Sequence, residues 1–251
     1  MLQQKISRIS FYIAFSVLGL MWIVYFLDVS FHLELYHYGI YPLHTKGLAG
    51  ILAAPFIHST DDIGHILNNS LPTLVLTWLL FYHYRTIATR VFVIIYLMTG
   101  IAMWLLARES YHIGMSGVIY GLTSFLVFSG FFRKNMRVAA VSLFVIFIYG
   151  SMVWGIFPVR ENISWEGHAL GLFSGIIVAV LYKYQGPQPQ KMIYEIEEES
   201  GIEPEEEYWK EGEIIPPHSG PFGEKPVDPG MTITYTYKPN SEEKSQMENG
   251  G

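Results

Sequence analysis

Six long apolar stretches separated by short polar or basic breaks dominate the first three quarters of the chain. They run Ile9–Leu27, Ile63–Tyr82, Thr89–Ala107, Ile113–Phe132, Val138–Phe157 and Gly167–Tyr184. Each is close to the roughly 17–25 apolar residues that a helix needs to cross a hydrocarbon core. Hydrocarbon offers the backbone no partner, so the pattern predicts helices that satisfy their own hydrogen bonds and shelter polar side chains against one another in a bundle. From Gln185 the apolar density collapses: Glu195–Glu213 is acidic, and Pro216, Pro217, Pro221, Pro226 and Pro229 follow. Such a segment buries too little surface to offset the entropy of ordering it. The expected architecture is an all-α membrane protein, with a six-span membrane domain over residues 1–184 and a disordered, acidic, proline-rich tail over 185–251. Within the tail, Met231–Tyr237 alternates with the period of a strand and could extend a partner's sheet edge, but fluctuation is the favoured reading.

Charge adds a direction. Residues 1–184 hold 11 Lys/Arg against 7 Asp/Glu, whereas residues 185–251 hold 5 against 15. The overall charge of −6 therefore describes the tail and gives no footprint for nucleic acid. Lys and Arg favour cytoplasmic loops. Lys5 and Arg8 precede the first stretch, Arg85 and Arg90 separate the second and third, Arg133, Lys134 and Arg137 separate the fourth and fifth, and Lys183 closes the sixth. The opposite breaks are mixed in sign. Both termini are thus expected in the cytoplasm, of a bacterial inner membrane, and the first stretch reads as a span: it exceeds a signal-peptide core, and Asp28–Tyr38 offers no cleavage site. The absence of cysteine removes disulfides, thiol catalysis and thiolate metal sites.

That direction brings three polar residues to one depth. Stretches two, four and six all enter from the outer side, and His65, Ser116 and His168 lie within four residues of their starts. Polar and ionisable groups in hydrocarbon are costly and mark function. A serine hydroxyl becomes a nucleophile when a base takes its proton, and imidazole suits that task near neutral pH. Ser116 opens a helix, where free N–H groups and the positive dipole end favour a developing oxyanion, and Gly114 and Gly117 leave room for a peptide to approach. His65 and Asn69 share a helix face four residues apart, so the Asn69 amide is the better oxyanion donor than Asn68. Gly117 and Gly121, and likewise Gly171 and Gly175, repeat at four, a spacing that lets two helices approach closely and carry His168 to Ser116.

Three motifs in order, His65-Ile-Leu-Asn-Asn69, Gly114-Met-Ser-Gly117 with Tyr120, and His168-Ala-Leu-Gly171, resemble the rhomboid family of intramembrane serine proteases. The resemblance covers most of residues 50–184. It implies a Ser116–His168 catalytic dyad without an acid, His65 and Asn69 at the oxyanion, and Tyr120 packed on the catalytic imidazole. It also implies single-span membrane proteins as substrates, cut near the outer end of their helix, with the lipid bilayer as the working medium and no cofactor, metal or nucleic acid. The family's first-loop Trp-Arg pair has no counterpart in Tyr36–Phe56, and two extra residues separate His58 from His65.

Other readings are weaker. His58, His65, His112 and His168 form no H-E-x-x-H and have no carboxylate on the neighbouring apolar turns, which argues against zinc. Asn162-Ile-Ser164 and Asn68-Asn-Ser70 fit a glycosylation pattern that short sequences often show by chance. A catalytically idle relative that escorts membrane proteins typically lacks the serine or the histidine, and this chain has both. A transporter is expected to show inverted repeats or broken half-helices, and none is evident.

Overall fold

The computed structural model describes residues 2–133, 135–158 and 164–188, with side chains from residue 6 onward. Among the described residues, seven α-helices follow in order: α1 (Leu2–Phe31), α2 (Gly50–Ala53), α3 (Ile63–His83), α4 (Ala88–Leu106), α5 (Ser116–Arg133), α6 (Met136–Tyr149) and α7 (Trp165–Leu181). No strand occurs among the described residues, only an isolated antiparallel bridge between Ile40 and His112. The acidic tail expected over 185–251, including Met231–Tyr237, lies outside the described residues from position 189 onward.

Capping side chains set three of the helix starts. Asp62 Oδ1 accepts from the Gly64 N–H at 2.8 Å, Asn135 Oδ1 from Arg137 and Val138, and Ser164 Oγ from Gly167. Among the described residues, four helical segments are long and apolar enough to cross a membrane, against the six expected: Ile6–Phe31, Ala88–Leu106, Ser116–Arg133 and Met136–Ile156. The chain is therefore a multi-pass membrane protein. Trp165–Leu181 is apolar but shorter, at 17 residues. Helix α5 is enclosed on most sides, with Ile119, Leu122, Phe125 and Leu126 fully buried, whereas Phe15, Phe26, Phe147 and Phe173 on the surrounding helices face outward. An apolar exterior around a sealed central helix is what a lipid solvent permits.

The fifth apolar stretch departs from a continuous helix. Helix α6 stops at Tyr149, and Gly150–Ile156 continues as a 3₁₀ helix. A 3₁₀ turn re-aims its carbonyls, and two of them receive side chains: Met152 O accepts from the Tyr120 hydroxyl at 2.6 Å, and Gly155 O accepts from His168.

Helices α5 and α7 pack backbone to backbone. A Cβ at Gly171 would collide with the Gly117 carbonyl, and one at Gly175 with the Gly121 carbonyl. Ser124 Oγ donates across to Leu172 O at 2.8 Å. At the other end, Arg133 is buried, and its guanidinium donates to the carbonyls of Tyr182, Lys183, Gln185 and Pro187 as well as to Ser129 Oγ. The described chain thus continues four residues past position 184 while held against α5, with Asn135 Nδ2 donating to Gln188 O at 2.6 Å.

Residues 32–57 form a loop of 3₁₀ turns around α2. It is pinned to α4 and to the loop before α5. Trp104 Nε1 donates to His44 O at 3.0 Å, Tyr96 Oη donates to Leu52 O, and Ile40 and His112 exchange both backbone hydrogen bonds at 2.9 Å. In place of a Trp-Arg pair, Lys46 sits over the Tyr41 ring, 3.7 Å from its centroid.

Candidate active site

Ser116 is the first residue of α5, and His168 lies in the first turn of α7. Glycine-mediated closeness of the two helices brings the side chains together: Ser116 Oγ and His168 Nε2 are 2.9 Å apart. The other ring nitrogen fixes the tautomer. His168 Nδ1 faces Gly155 O at 2.9 Å, and a carbonyl can only accept, so Nδ1 carries the hydrogen and Nε2 holds a lone pair toward the serine hydroxyl. Tyr120 lies flat on the imidazole, with centroids 4.2 Å apart and planes 8° from parallel. Its hydroxyl is tied to Met152 O, so the ring is fixed at both ends. Gly155 has to be glycine, because a Cβ there would strike the Tyr120 hydroxyl. His168 is only 9% exposed and Ser116 is half-buried, so the pair sits inside the protein.

Gly114 is the meeting point of the second polar set. Its φ of +101° lies in the left-handed region that side chains avoid. A Cβ on it would meet His65 Nε2 at 2.5 Å and Asn69 Nδ2 at 3.5 Å. Its N–H donates to Ala54 O at 2.8 Å, which anchors the turn that delivers Ser116. His65 and Asn69 therefore converge two residues before the serine. Asn69 is buried and Asn68 exposed, so helix α3 turns Asn69 inward. The Ser59 N–H donates to His65 Nδ1 at 3.4 Å, leaving the hydrogen of that ring on Nε2, toward Gly114.

Four groups at the site were not assigned a part from sequence. The Gly155 carbonyl carries no side-chain signal at all. His58 was noted only as a loop histidine, yet its Nε2 is 3.1 Å from Asn69 Nδ2. His112 and Ser164 pair at 2.7 Å, while His112 Nε2 faces Arg108 O at 2.9 Å; this clamp ties the loop before α5 to the residue that caps α7. Ser164 entered the sequence reading only as part of the Asn162-Ile-Ser164 pattern. His58 and His112 lie outside the spanning helices. Burial, with the His65 ring beside it, pushes the His58 pKa down to about 4, and burial likewise lowers that of His112. Among the described residues, no cluster of His, Asp or Glu is arranged to hold a metal.

Comparison with known proteins matches residues 45–185, more than half of the chain, to the Rhomboid domain. The uncharacterized protein Rv1337 of Mycobacterium tuberculosis is 33% identical over 152 residues, covering 57% of this chain and 62% of that protein. The uncharacterized protein ML1171 of Mycobacterium leprae is 32% identical over 176 residues, covering 66% of this chain and 68% of its own length. The match thus spans less than two thirds of the M. tuberculosis protein. The chain belongs to the rhomboid family.

Proposed function

We propose that this rhomboid-family chain is an intramembrane serine endopeptidase that cleaves single-span membrane proteins near the outer face of a bacterial inner membrane. The observation that carries the reading is the 2.9 Å contact between Ser116 Oγ and His168 Nε2, with His168 Nδ1–H held by a backbone carbonyl. A bare Ser-His pair with the imidazole oriented on its far side is the minimal activated nucleophile.

The chemistry follows from the tautomers. Ser116 attacks the scissile carbonyl while its proton passes to His168 Nε2. The resulting oxyanion is received by the His65 Nε2–H, by Asn69 Nδ2–H and by backbone N–H groups at the α5 start. Imidazolium at His168 then gives its proton to the departing amine, and the acyl ester forms on Ser116. Water, deprotonated by the same imidazole, attacks the ester and restores the serine. No cofactor or metal enters these steps. Gly114 keeps the space beside His65 and Asn69 open for the reacting carbonyl; Gly117, expected to leave room for the peptide, instead turns its missing Cβ toward Thr99 and the Gly167 carbonyl, and with Gly121, Gly171 and Gly175 it lets the helices approach closely.

The topology belongs to the same proposal. We take α1, α3, α4, α5, α6 with the 3₁₀ segment after it, and α7 as the six spans, and the basic residues near their ends support a cytoplasmic placement of both termini.

The test is cleavage of a single-span reporter by purified protein. Ser116→Ala and His168→Ala are each expected to lower kcat by at least a thousandfold while membrane insertion and folding persist, and both lose labelling by a fluorophosphonate probe. Unimpaired cleavage by Ser116→Ala would overturn the proposal. Wild-type protein that folds, binds the reporter and is never labelled would assign the chain to the non-proteolytic relatives instead.

A further inference from the structure

His58 stands outside the helices that carry the dyad. It is 2% exposed, and both of its ring nitrogens are engaged. Its Nδ1 faces Phe56 O at 3.3 Å, and since a carbonyl only accepts, that nitrogen carries the hydrogen. Nε2 is then a lone pair, and it faces Asn69 Nδ2 at 3.1 Å. Only the amide nitrogen can face a lone pair without repulsion, so this contact also decides which way the Asn69 amide is turned. An amide has two N–H bonds. One is given to His58, and the second leaves the same nitrogen, the atom that lies closest to Gly114 on the Asn69 side.

We infer that His58 is a positioning residue for the oxyanion: its Nε2 lone pair locks the Asn69 amide with nitrogen, rather than oxygen, turned toward the carbonyl under attack. The inference rests on the assignment of Asn69 as an oxyanion donor. Without the lock, a half-turn of the amide presents Oδ1 to a developing negative charge, exchanging an attraction for a repulsion with no loss of packing volume. The same short loop sets the second donor in the opposite sense. Phe56 O makes His58 an acceptor at Nε2, and the Ser59 N–H makes His65 a donor at Nε2. Residues 56–59 thus polarise two imidazoles whose rings lie 5.0 Å apart, one to hold an amide and one to meet the substrate. The depressed pKa of His58 agrees with this, because a protonated ring has no acceptor to offer.

The experiment compares His58→Leu, which fills the space without an acceptor, with His58→Gln, whose side-chain carbonyl can accept from Asn69. Both are measured alone and in an Asn69→Ala background. His58→Leu is expected to lower kcat about tenfold or more with KM within about twofold, and to remain reactive to a saturating fluorophosphonate probe. His58→Gln is expected to recover kcat to within about threefold of wild type. In the Asn69→Ala background, His58→Leu costs less than a further twofold, since the group it positions is already gone. Full additivity of the two losses, or a Gln variant as impaired as Leu despite normal melting, overturns the inference and leaves the dyad untouched. Wild-type kcat in Asn69→Ala overturns the oxyanion assignment and this inference together. Loss of probe labelling in wild-type protein would instead strike the proposed protease activity itself.

Discussion

Three imidazoles in and beside the candidate site differ in which ring nitrogen carries the hydrogen and what it faces, and in each case a backbone group decides which. The Gly155 carbonyl makes His168 Nε2 an acceptor for the serine proton, Phe56 O does the same for His58 toward Asn69, and the Ser59 N–H leaves His65 with a donor. Tautomer control by the main chain needs no ionised partner, which suits a site where a buried carboxylate would be expensive. It also makes neutrality a condition of the fold. An unfolded imidazole takes up a proton near pH 6.5, whereas folded His58 resists it until about pH 4. Above pH 6.5 both states are neutral and nothing is lost. As pH falls from 6.5 toward 4 the unfolded chain binds the extra proton, so stability declines through that window, by an amount on the order of 3 kcal/mol once pH 4 is reached. Repulsion from His65, whose ring adjoins His58, acts in the same direction. Melting temperatures between pH 7 and 4 should therefore fall for wild-type protein, and fall less steeply for His58→Gln, which has no proton to take.

At the scale of elements, the active geometry is a matter of how closely α5 and α7 approach. The pairing Gly171 with Gly117 and Gly175 with Gly121 sets one register along both helices, and Ser116 and His168 sit just before it, at the N-terminal ends of the two helices. Gly171→Ala is expected to push the helices apart, lowering kcat/KM by at least tenfold and stability by about 1–3 kcal/mol, the usual range for overpacking. Gly19→Ala in α1 is the control: nothing lies within 4 Å of its Cβ position, so it should be neutral or raise the melting temperature slightly. This part of the molecule was legible in the sequence, because apolar length, spacing by four and the depth of Ser116, His65 and His168 are all properties of side-chain type along a regular helix. Two other parts were not. The 3₁₀ turn over Gly150–Ile156 interrupts an unbroken apolar run, and its work is done by the carbonyls of Met152 and Gly155. The loop over residues 32–57 is likewise held by main-chain pairing, as between Ile40 and His112, which no residue pattern announces. His58 was visible as a residue, but its partner was set by how that loop returns to α3.

For the whole molecule, the question is how far the membrane domain extends and what the tail contributes to it. The apolar pattern ends at Tyr184, yet the α5–α7 assembly closes later. Buried Arg133 draws its acceptors from the carbonyls of Tyr182, Lys183, Gln185 and Pro187, and Asn135 reaches Gln188. Those carbonyls lie at the cap of α7 and in the turn that follows it, so one guanidinium pins the segment leaving α7 to the end of α5. On the proposed topology this clamp lies on the cytoplasmic face, about 30 Å of hydrocarbon from Ser116. Truncation after Gln188 keeps every acceptor and should leave kcat/KM of detergent-solubilised protein within about threefold of the full chain, under ~1 kcal/mol in the barrier. Truncation after Tyr182 removes three of the four carbonyls and leaves a buried guanidinium short of partners, a cost of about 1–3 kcal/mol or more for each charged group left unsatisfied. That shorter chain should melt measurably lower than the one ending at Gln188. The comparison of the two truncations under one detergent decides the matter: equal melting would mean that Arg133 finds water or lipid as good a partner as the chain, while a tenfold loss of kcat/KM already at Gln188 would mean that residues 189–251 support the active conformation directly.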